Sequence, residues 1–106
     1  MNTYFNRLIP PRPTFAFDMT AAELAIMKEH AAYWKVLAEK GSVVVYGPVD
    51  DPAGPWGLGV LLTETEQQAR ELMDHDPAVS SGMSTYELFP FLSARFGRIP
   101  AAEALS

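Results

Sequence analysis

Apolar residues recur along this chain with two different spacings, and the points where the spacing changes mark its elements. From Thr3 to Ile9 they alternate, with Phe5, Arg7 and Ile9 on one side and Tyr4, Asn6 and Leu8 on the other. That is the two-residue period of a strand. Pro10, Pro11 and Pro13 stop it, because proline has no N–H to give to a ladder. Phe15 and Phe17 are expected to fold onto the core ahead of the next element. Between Thr20 and Lys40 the period becomes helical. At about 100° per residue, Leu24, Ile26, Met27, Ala31, Tyr33, Trp34, Leu37 and Ala38 gather on one arc, and Lys28, Lys35 and Glu39 lie opposite. Thr20 and Glu23 have the spacing of a capping box, and Gly41 suits a left-handed C-cap.

The second half repeats the alternation. Ser42 to Tyr46 is a β-branched run, expected as a buried strand that Gly47-Pro48 ends. A turn over Asp50 to Pro55 leads into a strand from Trp56 to Thr63, making a hairpin. Trp56, Leu58, Val60 and Leu62 share one face of it, and Gly57, Gly59 and Leu61 the other. Glycines on a strand face permit close packing or leave room for a ligand. Thr65 can cap a shorter helix to Asp74, with Ala69, Leu72 and Met73 inward. His75-Asp76-Pro77 closes it, and Ala78 to Met83 reads as a loop. Ser84 to Leu92 is a last strand, which Pro90 assigns to a sheet edge or a bend.

The order is β-α-β-β-α-β, the ferredoxin-like split motif: an α+β domain over residues 1–93, with an antiparallel sheet and two helices on one face. Residues 94–106 form a C-terminal tail. The strands are apolar on both sides, and a bare apolar sheet face of this size calls for cover. A homodimer through that face is the expected solution.

Composition narrows the function. The chain has 106 residues, one domain's worth, with 48% hydrophobic residues, enough to fill a core. It has no apolar run near the roughly 18 residues that a membrane span needs. Residues 1–13 lack the long apolar segment and the small-residue cleavage pattern of an export signal, which makes the cytoplasm the default location. The net charge of −5 comes with no basic stripe, so nucleic acid is not an expected partner. Cysteine is absent, excluding disulfides and thiol nucleophiles. No HxH or HExxH spacing argues for a metal, and no glycine-rich loop for a phosphate. No cofactor is expected.

His30 carries the chemistry of this reading. It falls in the middle of the apolar arc with Glu23. A titratable ring aimed at the core has a buried partner or lines a cavity. One reading is a core histidine satisfied by a backbone carbonyl. The other pairs it with Asp76, which follows the second helix and can point toward the sheet; the carboxylate would fix the ring's tautomer and make a general acid or base. In that case Asp76→Asn is expected to impair activity and leave the fold intact. Arg12 is a rim charge or the holder of a ligand carboxylate or phenolate. Trp34, Tyr33 and Trp56 are core residues or cavity walls, with Trp34 taken as a substrate contact. His75 is read as a solvated cation at a helix end.

Arg12-Pro13, the helix with MKEHAAYW, the GPV and WGLGV strands, the DPA after the second helix and the YELFP of the last strand resemble the YciI-like (YCII-related) proteins. The resemblance covers residues 1 to about 93. It implies a dimeric α+β barrel similar to muconolactone isomerase, and a link to a dehydrochlorinase of chlorinated hydroxyquinol breakdown. It implies a His–Asp pair as the active site, matched here by His30 and Asp76. The expectation is a small cofactor-free enzyme, a lyase or isomerase, acting on a small cyclic oxygenated acid or phenol. The alternative is a non-catalytic ligand-binding or regulatory module that uses the same pocket. A third is a structural dimer whose His–Asp pair is a buried hydrogen bond.

Overall fold

A computed structural model describes residues 1–98 of the chain. The expected tail at 94–106 therefore lies outside the described residues from position 99 onward. Strand β1 (Asn2–Ile9) leads to a four-residue helix α1 (Phe15–Asp18) and a long helix α2 (Ala21–Glu39). Strands β2 (Val43–Val49) and β3 (Trp56–Thr63) form a hairpin. Helices α3 (Glu66–Asp74) and α4 (Pro77–Ser80) precede the last strand, β4 (Thr85–Pro90). The sheet order is β2-β3-β1-β4, with every neighbouring pair antiparallel. This is the ferredoxin-like arrangement, with two short helices added to the two long ones.

One face of the sheet carries the core. Tyr4, Leu8, Leu61 and Leu88 pack there against Trp34 and Leu37 of α2, Ala69 and Met73 of α3, and Ala78 of α4. Register places them together: Tyr4 lies opposite Leu61, and Asn6 lies between Gly59 and Leu88. The other face holds Phe5, Arg7, Leu58, Val60 and Phe89, which share rows of the ladder and are half-buried or exposed.

The helix ends follow the sequence. Thr20 accepts from the Glu23 amide, and the Glu23 carboxylate accepts from the Thr20 amide. Gly41 takes φ of 80°, the left-handed C-cap conformation. Thr65 and Gln68 repeat the capping box on α3.

Four local expectations fail, each for a physical reason. Strand β2 runs on through Gly47-Pro48 to Val49 and is half exposed, not buried; it is an edge strand, where proline is tolerated. Phe17 is 79% exposed; α1 turns Phe15 inward and leaves Phe17 in solvent. Leu24 is 46% exposed, because it lies in the first turn of α2, beyond the end of the packed stretch around Trp34 and Leu37. The stretch read as a loop over 78–83 begins as helix α4, with Asp76 as its N-cap and Pro77 at its first position.

Candidate active site

Helix α2 delivers His30 and Trp34 to the same side, four residues apart, where side chains stack along a helix face. The turn between α3 and α4 delivers Asp76, which is fully buried. His30 Nδ1 lies 2.9 Å from each Asp76 oxygen, across a separation of 46 residues. Trp34 Nε1–H donates to Asp76 Oδ2 at 2.7 Å. The Ala78 amide donates to Asp76 Oδ1 at 2.9 Å, as the N-cap geometry requires. Both Asp76 oxygens therefore accept from fixed donors, which suits an ionised carboxylate. Trp34 can only donate, so the remaining contact assigns a proton to His30 Nδ1. His30 Nε2, which carries the lone pair when the ring is neutral, has no protein partner among the described residues.

That nitrogen belongs to a residue lining a cavity of about 400 Å³ between α2 and the sheet. The His30 side chain is 19% exposed, enough to be reached from the cavity. Met27 and Ala31 from α2, and Phe15 from α1, supply apolar wall. Trp34 stacks on Tyr46 of β2, with ring centroids 5.6 Å apart and planes tilted by 30°; both line the cavity. The glycines of β3 explain the approach. A Cβ at Gly59 would come within 2.8 Å of the Trp34 ring and 2.6 Å of Asn6 Nδ2. Gly59 thus allows the close packing, while Gly57 borders the cavity.

Arg12 is not brought to this cavity. Its guanidinium grips Glu23 with two hydrogen bonds of 2.8 Å and donates to Asp18 at 2.8 Å. Those bonds draw the Glu23 carboxyl down to about 2, with the Thr20 amide adding to the effect. Arg12 ties β1's exit to the start of α2. Tyr33 points elsewhere too, donating to the Leu72 carbonyl at 2.6 Å. Burial, with the Asp76 charge adding, pushes its phenol up to about 12. His75 is exposed, with Nδ1 2.7 Å from the Glu71 carbonyl. It borders a second, more open cleft of about 470 Å³ that shares no lining residue with the His30 cavity.

Two features lie beyond the sequence reading. One is the Trp34–Asp76 bond, because a helical wheel gives a residue's direction but not its partner. The other is the pair Asn6 and Ser84, polar and buried on the cavity wall. The signal for Asn6 is its place between Tyr4 and Leu8 on the core side of β1.

The model of the YCII-related domain family matches residues 3–92. No curated protein matches the chain. Among solved structures, the chain is similar to the 5-chloro-2-hydroxyhydroquinone dehydrochlorinase of Burkholderia phenoliruptrix, in complex with 2,5-dihydroxybenzoquinone. The TM-score is 0.61 at 17% identity, over 86% of this chain and 95% of that one. At that identity the likeness is one of fold. No helix among the described residues is long and apolar enough to cross a membrane.

Proposed function

The chain belongs to the YCII-related domain family, and from that premise we propose that it is a small cofactor-free enzyme moving protons on a small cyclic oxygenated molecule. The carrying observation is the arrangement at His30: Nδ1 held by a buried carboxylate, and the ring lining the cavity. An imidazole so held keeps one tautomer and presents the same nitrogen to each ligand. Nε2 takes a proton from an acidic C–H or O–H. The Nδ1–H stays on the ring and hydrogen-bonded to Asp76, which stabilises the imidazolium that forms. Return of the proton at another carbon gives isomerisation; departure of a leaving group such as chloride gives elimination. Trp34 and the Ala78 amide hold Asp76 in place. The dehydrochlorinase of similar fold and its quinone ligand support this choice of chemistry. The working unit is proposed to be a cytoplasmic homodimer, without nucleic acid or a metal as partner.

A turnover screen over hydroxyquinols, chlorinated phenols and lactones tests the reading. It expects one class to be converted and His30→Gln to lose that conversion, by roughly the hundredfold or more that general acid–base catalysis contributes. Conversion that survives His30→Gln would remove His30 as the base. Ligand binding with no conversion across the screen would favour a binding module.

A further inference from the structure

Two groups on the sheet side of the His30 cavity are polar, buried and unpaired. Asn6 is 1% exposed and Ser84 is 5% exposed. Asn6 Nδ2 and Ser84 Oγ have no hydrogen-bond partner among the described residues, and both residues line the cavity. A buried donor without a partner costs stability and needs a reason. Asn6 sits on the core side of β1 in a row of apolar residues, where an apolar side chain of the same branched shape would leave no donor unpaired. Space has also been kept for the amide: a Cβ at Gly59, its partner across the ladder, would press to 2.6 Å from Asn6 Nδ2.

The cavity's charge narrows what fits. No lysine or arginine lines it among the described residues. Arg12 is occupied by Glu23 and Asp18, and His30 by Asp76. A full carboxylate or phosphate would therefore find no free cation among the residues that line the cavity, and burying one unpaired is costly. A carbonyl or phenolic oxygen needs only a neutral donor. A cavity of about 400 Å³ with aromatic walls suits one substituted ring.

Resting on the reading of this cavity as a substrate site, we propose that Asn6 and Ser84 form its oxygen-recognition subsite. The Asn6 amide donates to a ring carbonyl or phenolic oxygen, and the Ser84 hydroxyl holds a second ring oxygen. The substrate class is a neutral phenol or quinone and not a carboxylic acid. An oxygen held by Asn6 gathers charge when His30 removes a proton from the ring, and the amide steadies that charge.

Calorimetric titration with 2,5-dimethyl-1,4-benzoquinone, a neutral quinone, and with benzoate, on the full chain, tests this. The quinone should bind the wild type and benzoate should bind more weakly. Asn6→Leu should bind the quinone roughly tenfold less tightly, the size of a lost neutral hydrogen bond. Its melting temperature should hold or rise, because an orphan donor has gone; a merely structural amide would lower it. Ser84→Ala should weaken the quinone severalfold, and it decides the matter should Asn6→Leu fail to fold. Unchanged quinone affinity in these variants, tighter binding of benzoate, or no quinone binding by the wild type at millimolar concentration overturns the proposal. His30→Gln separates the two readings. If it loses turnover while Asn6→Leu binds as the wild type does, the subsite falls and the acid–base role stands. If it keeps turnover while Asn6→Leu loses binding, the subsite stands and the acid–base role falls.

Discussion

Asp76 does three things with one carboxylate. It caps α4 through the Ala78 amide, accepts from the Trp34 indole and accepts from the His30 ring. The sequence offers Asp-Pro as turn chemistry or as a histidine's partner; these are not alternatives, since the cap itself aims the carboxylate into the fold. This changes what Asp76→Asn should do. An amide keeps one acceptor oxygen and turns its NH2 on a fixed N–H, leaving a buried donor facing a donor. The expected cost is about 1–3 kcal/mol, read by chemical denaturation, beside the loss of any activity. An Asp76→Asn variant as stable as the wild type would mean that neither Trp34 nor Ala78 depends on the second oxygen. The sequence-based expectation of an intact fold with lost activity leaves out the indole, because nothing in the spacing of residues 34 and 76 announces it.

At the scale of elements, the start of α2 is held by more than its cap. Thr20→Ala removes the side-chain acceptor for the Glu23 amide, with an expected loss of about 1 kcal/mol in the denaturation free energy. Glu23 also receives Arg12, whose hydrogen bonds, ahead of that from the Thr20 amide, hold its carboxyl near 2 and below its ordinary 4.5. A carboxyl depressed on folding adds stability above its unfolded value and loses it as pH falls toward its folded value. The stability gap between wild type and Glu23→Gln should therefore be constant above about pH 4.5 and close as pH approaches 2. A gap indifferent to pH across that window would show the Arg12 pair to be idle. The capping box was legible because it is local, four residues long and made of two residue types. The Arg12–Glu23 grip was not, since it spans 11 residues and depends on how α1 folds back. The four-stranded order was legible from alternation and glycine–proline punctuation. The passage of β2 through Gly47-Pro48 was not, because proline's tolerance there depends on the strand being at an edge, which only the assembled sheet decides. Helix α4 is too short to show a period, though Asp76 and Pro77 carried its start signal.

The whole molecule leaves one sheet face without a second layer among the described residues. Phe5 and Phe89 stack there with centroids 6.5 Å apart, and Arg7 lies 4.8 Å over the Trp56 ring, 3.7 Å from Glu87. Val45 and Phe89 are 54% and 52% exposed, and Val60 lies between Phe5 and Val45 in the ladder. A row of aromatic and β-branched side chains across four strands is more than the scattered apolar surface of a monomer. The same face carries charges of both signs in Arg7 and Glu87, so a two-fold axis can set the Arg7 of one protomer against the Glu87 of its partner. We therefore expect a homodimer joined face to face, seen by light scattering at micromolar concentration. Val60→Asp would set a carboxylate in the middle of that face, where Arg7 is the neighbouring cation, and should leave monomer mass. His30 and Trp34 stand on the opposite side of the sheet, so the variant should keep its fold, read as unchanged far-ultraviolet dichroism. Wild type at monomer mass, or Val60→Asp still dimeric, would mean that this face is not the interface.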